Sequence, residues 1–132
     1  MNNIIIIEKN GDIKNTLIDD INMLYKFCNY RNNNDFKLIY TWNYNIYIYE
    51  LYGKTKGKKI NKNMTKLPSY ISNELYGNIC IIKKDLNNNL SQLNTKDWEL
   101  WYNNIFNETK TATIENEKIY TDKLYYEVYD SE

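Results

Sequence analysis

Hydrophobic positions in the first third of the chain predict a strand followed by a helix. Asn3–Glu8 contains four consecutive isoleucines, which is typical of a buried strand, and Asn10–Asp12 follows with turn-forming residues. From Leu17 to Cys28 apolar residues recur at steps of three and four, and Asp19 and Asp20 lie near the beginning of this stretch. This spacing predicts an amphipathic helix with acids in its first turn, where the helix dipole favours negative charge.

The middle of the chain alternates in a way that predicts strands. Phe36–Trp42 and Ile46–Tyr52 are rich in β-branched and aromatic residues, and residues 43–45 are few enough to join them as a hairpin. Asn78–Lys84 is a continuous apolar run that predicts a third buried strand in this region. An asparagine-rich connection follows it.

A second helix is predicted from Asn94–Asp97, which supply a cap and an acid, to about Phe106. Trp98 and Trp101 belong to an aromatic stripe at helical spacing on this helix. Packing against the sheet is the favoured interpretation of the stripe, and a groove for a partner is the alternative, since tryptophan is a common interface anchor.

Together these elements predict an α+β fold, with a small, mostly antiparallel sheet covered by two helices. Residues 1–108 are expected to form a single α+β domain, and residues 109–132 an acidic, tyrosine-rich tail. The opening isoleucine run lacks a basic segment before it, and no apolar stretch approaches the ~20 residues that span a bilayer. We therefore expect a soluble, cytoplasmic protein that does not use a membrane, in which Cys28 and Cys80 are unreactive core thiols.

A basic segment, here called the lysine-rich segment, connects the predicted hairpin to the next strand. Gly53–Lys66 contains six lysines and no acid. Lysines that neutralise phosphates release counterions, so such a segment binds nucleic acid without reading its sequence, and Tyr52, Tyr70 and Tyr76 are candidates to stack on bases. The segment shows no periodicity and is expected to be an exposed, mobile loop; the alternative to nucleic-acid contact is a solvated loop in a protein whose composition favours lysine. The residues predicted to contact DNA, RNA or an acidic partner are Lys54, Lys56, Lys58, Lys59, Lys62 and Lys66.

The end of the chain has the opposite charge. Its last eighteen residues carry six acids against Lys118 and Lys123, although the net charge of the whole chain is zero. Tyrosines interleaved with acids suit docking onto a basic, partly apolar surface, and a frayed terminus is the alternative. The residues predicted to dock to a partner are Trp98, Trp101, Tyr125, Tyr126 and Tyr129.

Few residues offer catalytic chemistry. The chain has no histidine, which excludes Ser-His and Cys-His catalysis and histidine-containing zinc sites. Gly53–Thr55 matches the end of a phosphate-binding P-loop, but Ile48 stands where that motif needs its first glycine. Glu50 and Glu74 have no evident partner in the sequence. We therefore predict no catalytic residue, no metal site and no cofactor.

Five blocks of the chain combine tryptophan, glycine and aromatic positions in a fixed order. They are Leu24–Lys26, Tyr40–Asn43, Tyr49–Gly57, Asn73–Asn78 and Trp98–Trp101. These blocks resemble those of small proteins from large cytoplasmic DNA viruses, which also end on a short acidic tail. The size and the Asn, Ile, Lys and Tyr bias are similar to those of a small RNA polymerase subunit encoded by the cytoplasmic linear (killer) plasmids of yeasts.

The resemblance covers residues 4–106 and the last residues, with two departures. The viral proteins have several prolines where this chain has only Pro68, and a glycine pair where it has Asn107–Glu108. The resemblance implies a non-catalytic small subunit of a cytoplasmic DNA-directed RNA polymerase, whose partner is the large subunit of that enzyme. A stand-alone nucleic-acid or protein-binding adaptor in replication or packaging is the alternative function.

Overall fold

The computed structural model describes residues 1–68 and 74–105. In these residues the protein has an α+β fold, as predicted, and its antiparallel sheet has six strands accompanied by two helices. Short 3-10 turns lie at Ile21–Met23 and Lys59–Asn61. The strands are β1 (Asn2–Ile7), β2 (Ile13–Ile18), β3 (Phe36–Tyr44), β4 (Tyr47–Lys54), β5 (Tyr76–Asp85) and β6 (Leu90–Ser91), and the helices are α1 (Leu24–Phe27) and α2 (95–105).

The strands lie side by side in the order β2-β1-β5-β4-β3, and β6 pairs with β5. The first strand therefore lies beside a strand that comes more than sixty residues later in the chain. In the middle of the sheet Ile81 of β5 is opposite both Ile5 of β1 and Leu51 of β4. Residues opposite each other project to the same face, so this register brings three fully buried side chains together.

Both faces of the sheet are buried at its centre, because successive side chains of β1 and β5 point to opposite faces and neither set is exposed. This explains the unbroken isoleucine run, since a strand covered on both faces has no polar alternation. One face packs against α1 and the residues that precede it. Its buried cluster consists of Ile4, Ile6, Ile18, Leu24, Cys28, Cys80 and Ile82.

The helix predicted over Leu17–Cys28 was wrong for its first part. Ile13–Ile18 forms β2, which pairs with β1 through the turn at Asn10–Asp12, and only the 3-10 turn and α1 are helical. The apolar steps of three and four arose because Ile18 of the strand and Leu24 of α1 enter the same core. The free edge of β1 needs hydrogen-bond partners, and β2 supplies them.

Other predictions were confirmed with small shifts. The hairpin forms from β3 and β4, with its turn moved to Asn45, whose φ of 57° is left-handed. The third predicted strand is β5. Helix α2 begins as predicted, since the Asn94 side chain accepts from the backbone N–H of Asp97 at 2.8 Å. The two-residue strand β6 was not predicted.

Two asparagine side chains fasten loops to the sheet. Asn15 Nδ2 donates to the carbonyl oxygens of Ile4 at 2.9 Å and Leu93 at 3.1 Å. Asn63 is buried, and its Nδ2 donates to the carbonyl oxygen of Gly77 at 2.8 Å. These bonds hold the segment before α2 and the end of the lysine-rich segment against the sheet.

Residues 1–66 and 74–99 belong to one compact unit, which contains the whole sheet, and residues 67–68 and 100–105 belong to a second unit. The predicted domain of residues 1–108 and tail of residues 109–132 extend beyond the described ranges, so this division stays a prediction. Tyr125, Tyr126 and Tyr129 also lie outside the described residues.

Candidate nucleic-acid interface

The lysine-rich segment is fastened at its beginning by Asp35. The carboxylate of Asp35 accepts from the backbone N–H groups of Thr55 and Lys56, each at 2.9 Å, and from Lys37 Nζ at 3.2 Å. Partial burial alone would raise the pKa of Asp35, but the bonds from Lys37, Thr55 and Lys56 outweigh it and lower the pKa. Asp35 therefore stays ionised and fixes the direction in which the chain leaves β4.

A second attachment lies near the other end of the segment. Lys62 forms an isolated β-bridge with Tyr76, and its Nζ lies 2.6 Å from Glu74 Oε2. The hydrogen bond and charge of Glu74 raise the pKa of Lys62. The hydroxyl of Tyr76 donates to the other oxygen of Glu74 at 3.2 Å. The segment is thus held at both ends and contains the 3-10 turn at Lys59–Asn61, and residues 56–60 are exposed as expected.

The structure separates the six predicted lysines into different roles. Lys62 is ion-paired, whereas Lys56, Lys58 and Lys59 are exposed and form no ion pair with a described residue. Lys54 is partly buried, and its ammonium lies 4.3 Å above the ring of Tyr30. Lys66 is exposed near the end of the segment. Three exposed cations therefore follow one another along the loop, with a fourth held over an aromatic ring.

A cleft of about 340 Å³ lies beside these lysines. Two lysines, two tyrosines and three asparagines contribute to its lining, and none of its described lining residues is acidic. The elements that meet here are the residues after α1, the end of β4 and the beginning of β5. The described lining residues are Cys28, Asn29, Tyr30, Lys54, Lys56, Gly57, Asn61, Tyr76, Gly77 and Asn78.

Tyr30 forms one wall of the cleft. Its hydroxyl donates to the carbonyl oxygens of Tyr76 at 3.1 Å and Asn78 at 3.0 Å, and burial raises its pKa to about 12. Gly77 has a φ of 69° and touches the Tyr30 hydroxyl so closely that any Cβ there would overlap it. This contact attaches the residues after α1 to the start of β5 and fixes the ring beneath Lys54.

The ring of Tyr76 forms a second wall. A Cβ on Gly57 would lie only 2.9 Å from Tyr76 Cβ and 3.0 Å from its Cγ, so the glycine allows the main chain to lie against the ring. The bond to Glu74 holds the hydroxyl end. Tyr76 was predicted as a stacking residue. Tyr52, predicted for the same role, lies on the sheet face of the buried cluster instead, with its hydroxyl donating to Glu50 at 3.0 Å. Tyr70 lies outside the described residues.

Sequence reasoning missed Tyr30 and Asn29 of this cleft. The sequence carried only a weak signal for Asn29. Asparagine sometimes replaces glycine as the left-handed residue after a helix, and Asn29 has a φ of 68°. Tyr30 could not be connected with Lys54 from the sequence, since their proximity depends on the β4–β5 register.

Gly53 does not contribute to a phosphate-binding loop. It lies inside β4, and a Cβ there would be 2.8 Å from Ile79 Cγ2 of the neighbouring strand. The glycine is therefore required for strand packing. The structure also gives Glu50 the partner that the sequence did not reveal, because Lys84 Nζ lies 3.0 Å from Glu50 Oε1 and both side chains are largely buried.

The two predicted docking tryptophans are buried, each with 2% of its surface exposed. Both the packing of this stripe against the sheet and a docking role for Trp98 and Trp101 stay predictions. Cys28 and Cys80 are buried as expected, and burial together with the neighbouring Cys28 raises the pKa of Cys80 well above its usual value.

Among residues 1–68 and 74–105, no group of three histidine, cysteine, aspartate or glutamate side chains is arranged to hold a metal ion. No helix within the same residues has the length and apolar character needed to cross a membrane. The chain matches no family model, no curated protein and no solved structure.

Proposed function

We propose that this protein is a non-catalytic small subunit of a cytoplasmic DNA-directed RNA polymerase, which contacts nucleic acid through its lysine-rich segment. The observation that carries the proposal is the row of exposed lysines at 56, 58 and 59, next to Lys54, on a segment held at both ends. Cations presented in a fixed place can follow a phosphate backbone with little loss of entropy.

The resemblance described above supports the same function. Two of its five blocks, Tyr49–Gly57 and Asn73–Asn78, include the end of β4 and the beginning of β5, which meet at the cleft. The partner is then the polymerase large subunit, which supplies the magnesium-dependent chemistry. This protein would assist transcription of an extranuclear linear plasmid or a viral-type genome in the cytoplasm.

The test replaces Lys54, Lys56, Lys58 and Lys59 together by glutamate and measures binding to labelled DNA and RNA over a range of salt concentrations. Wild-type affinity should fall with salt, with a log–log slope of roughly −0.7 per contacted phosphate on single strands. The variant is expected to lose binding at low salt while its circular dichroism spectrum stays unchanged.

Two double variants that change the net charge equally provide the control. Lys58→Glu/Lys59→Glu is expected to weaken binding, whereas Lys26→Glu/Lys96→Glu, which changes two exposed lysines away from the segment, should have little effect. Unchanged binding of the quadruple variant at low salt would refute the role of the segment. A tagged protein recovered from its host should retain the polymerase large subunit. Recovery of nucleic acid or replication proteins without polymerase would instead favour a stand-alone adaptor.

A further inference from the structure

The charge of the cleft selects an anionic ligand. Lys54 and Lys56 line it, and neither forms an ion pair with a described carboxylate. Lys54 is positioned by the Tyr30 ring, so its charge stays in the cleft instead of moving freely in solvent. A phosphate group suits a cleft whose lining carries two ammonium groups and no carboxylate, although the Asp35 carboxylate binds the backbone N–H of Lys56 nearby.

Asparagine side chains around the cleft offer hydrogen bonds to a second part of the ligand, beyond its phosphate. Asn61 Oδ1 accepts from Lys9 Nζ at 2.9 Å, which leaves the Asn61 amide N–H groups available for a ligand. Asn78 Nδ2 donates to the carbonyl oxygen of Cys28 at 3.2 Å, which leaves the side-chain oxygen Asn78 Oδ1 as an acceptor. Asn29 is exposed, and its backbone adopts the left-handed conformation. Donors and acceptors on different sides suit the edge of a nucleobase.

The Tyr76 ring supplies a flat apolar surface at the same place. Gly57 lies against the ring and Glu74 holds its hydroxyl, so the ring is already ordered before a ligand arrives. Stacking on a fixed aromatic ring favours a chain with bases over one without them and accepts any base, because every base has a π-face.

The cleft suits an unpaired nucleotide and not a base pair. Its volume of about 340 Å³ lies near the lower end of small-ligand sites, which span roughly 300–1,000 Å³. The bases of a duplex are stacked inside the helix and cannot enter a cleft, whereas an unpaired base can turn outward.

We infer that the cleft between Tyr30 and Tyr76 holds one unpaired nucleotide of a single-stranded nucleic acid, with its phosphate at Lys54 and Lys56 and its base against Tyr76. This inference rests on the proposed function and makes it specific. The lysines at 58 and 59 contact the neighbouring backbone, and the cleft distinguishes single strands from duplexes.

The test compares three labelled probes with the full-length protein at one salt concentration. They are an oligothymidylate, an abasic chain with the same number of phosphates, and a duplex of the same length. Wild type is expected to bind oligothymidylate about tenfold more tightly than the abasic chain, which corresponds to roughly 1.4 kcal/mol. It should also prefer oligothymidylate to the duplex.

Two variants assign this preference to the cleft. Tyr76→Leu removes the ring, and Asn29→Asp adds a negative charge at an exposed residue whose left-handed conformation aspartate tolerates. Each should reduce the tenfold preference to below about twofold. Asn87→Asp makes the same charge change in the exposed turn after β5 and is expected to keep the preference. The aspartate pair keeps the test valid if Tyr76→Leu fails to fold.

The outcomes separate the two proposals. Equal, salt-dependent binding of oligothymidylate and the abasic chain would overturn the cleft inference and leave the proposed function standing. Tighter binding of the duplex would also overturn the inference. Failure to bind any of the probes at low salt would contradict the proposed nucleic-acid contact itself.

Discussion

Asn63 shows how a single side chain can attach a loop to a sheet. Its Nδ2 lies 3.3 Å from the carbonyl oxygens of Ile7 and Glu8 and 2.8 Å from that of Gly77, and its Oδ1 accepts from the N–H of Thr65 at 3.0 Å. The residue thus joins the end of β1, the beginning of β5 and its own loop. One side-chain amide therefore provides hydrogen bonds to carbonyl oxygens of two different strands, as well as to its own loop.

Replacing Asn63 by alanine is expected to lower the free energy of unfolding by about 2 kcal/mol, because buried carbonyl oxygens lose their donor. Urea denaturation followed by circular dichroism measures the change. Asn87→Ala, in an exposed turn, is the matched control and should change stability by less than about 0.5 kcal/mol. An Asn63→Ala protein as stable as wild type would show that the hydrogen bonds of Asn63 contribute nothing to the stability of the fold.

The residue scale also shows what single asparagines do for the backbone. Asn32–Asn34 is an exposed run between α1 and β3. Asn29, Asn45 and Asn88, however, each adopt a positive φ. Asparagine tolerates this conformation better than most residues, and single positions of this kind do not stand out in a chain so rich in the residue.

At the scale of elements, the predictions succeeded where one element alone determines the pattern. β3, β4, β5 and α2 each carry their own spacing or cap, and each was found close to its predicted place. β2 was missed because its exposed residues hide its alternation, and its role depends on the free edge of β1. β6, with two residues, forms only because β5 extends past β1.

The Asn94 cap provides a test at this scale. Asn94→Ala is expected to lower the free energy of unfolding by about 1 kcal/mol, because the N–H of Asp97 loses its acceptor at the start of α2. Asn104→Ala, an exposed position within the helix, is the control and should be neutral or slightly stabilising, since alanine is the better helix former. Equal effects of the two substitutions in urea denaturation would argue against the cap.

The candidate site was predictable in part for a related reason. The lysines are visible in the sequence as a cluster, so their segment could be identified. The cleft depends on the pairing of Lys54 with Tyr76 across β4 and β5, after a shift in register beyond Tyr52. Sequence spacing contains no information on that shift, and Tyr30 joins the site from a third element.

At the scale of the whole molecule, the positive segment belongs to a chain with zero net charge. Under the proposed function, attraction of nucleic acid would depend on the local field of the lysines, which physiological salt screens beyond about 8 Å. The protein should consequently bind only nucleic acid that reaches the segment itself, and binding should weaken steeply as salt rises.

The folded protein as a whole should also lose stability in alkaline solution. Burial raises the pKa of Tyr30 from 10.0 to about 12, and burial together with Asp97 raises that of Tyr49 to about 12. A raised folded-state pKa means that the unfolded chain releases these protons first. The stabilising contribution is therefore complete below pH 10 and is lost as the pH rises toward 12.

Urea denaturation at a series of alkaline pH values measures this loss, which we expect to be about 1 kcal/mol per tyrosine after allowing for solvent near half-buried rings. Tyr30→Phe should be less stable than wild type at neutral pH but lose less stability between pH 10 and 12. A Tyr30→Phe protein with the same alkaline slope as wild type would show that Tyr30 ionises equally easily in both states.

The place of β1 in the sheet has a consequence for how the protein is made. Ile5 lies opposite Ile81, so β1 leaves the ribosome long before β5, the central strand that it pairs with. At roughly 5–20 residues per second, that interval lasts about four to fifteen seconds. During this time β2 can cover one edge of the isoleucine strand, while its other edge stays open to any extended chain nearby. Newborn chains on neighbouring ribosomes supply such strands, so pairing between chains competes with the native sheet until β5 arrives.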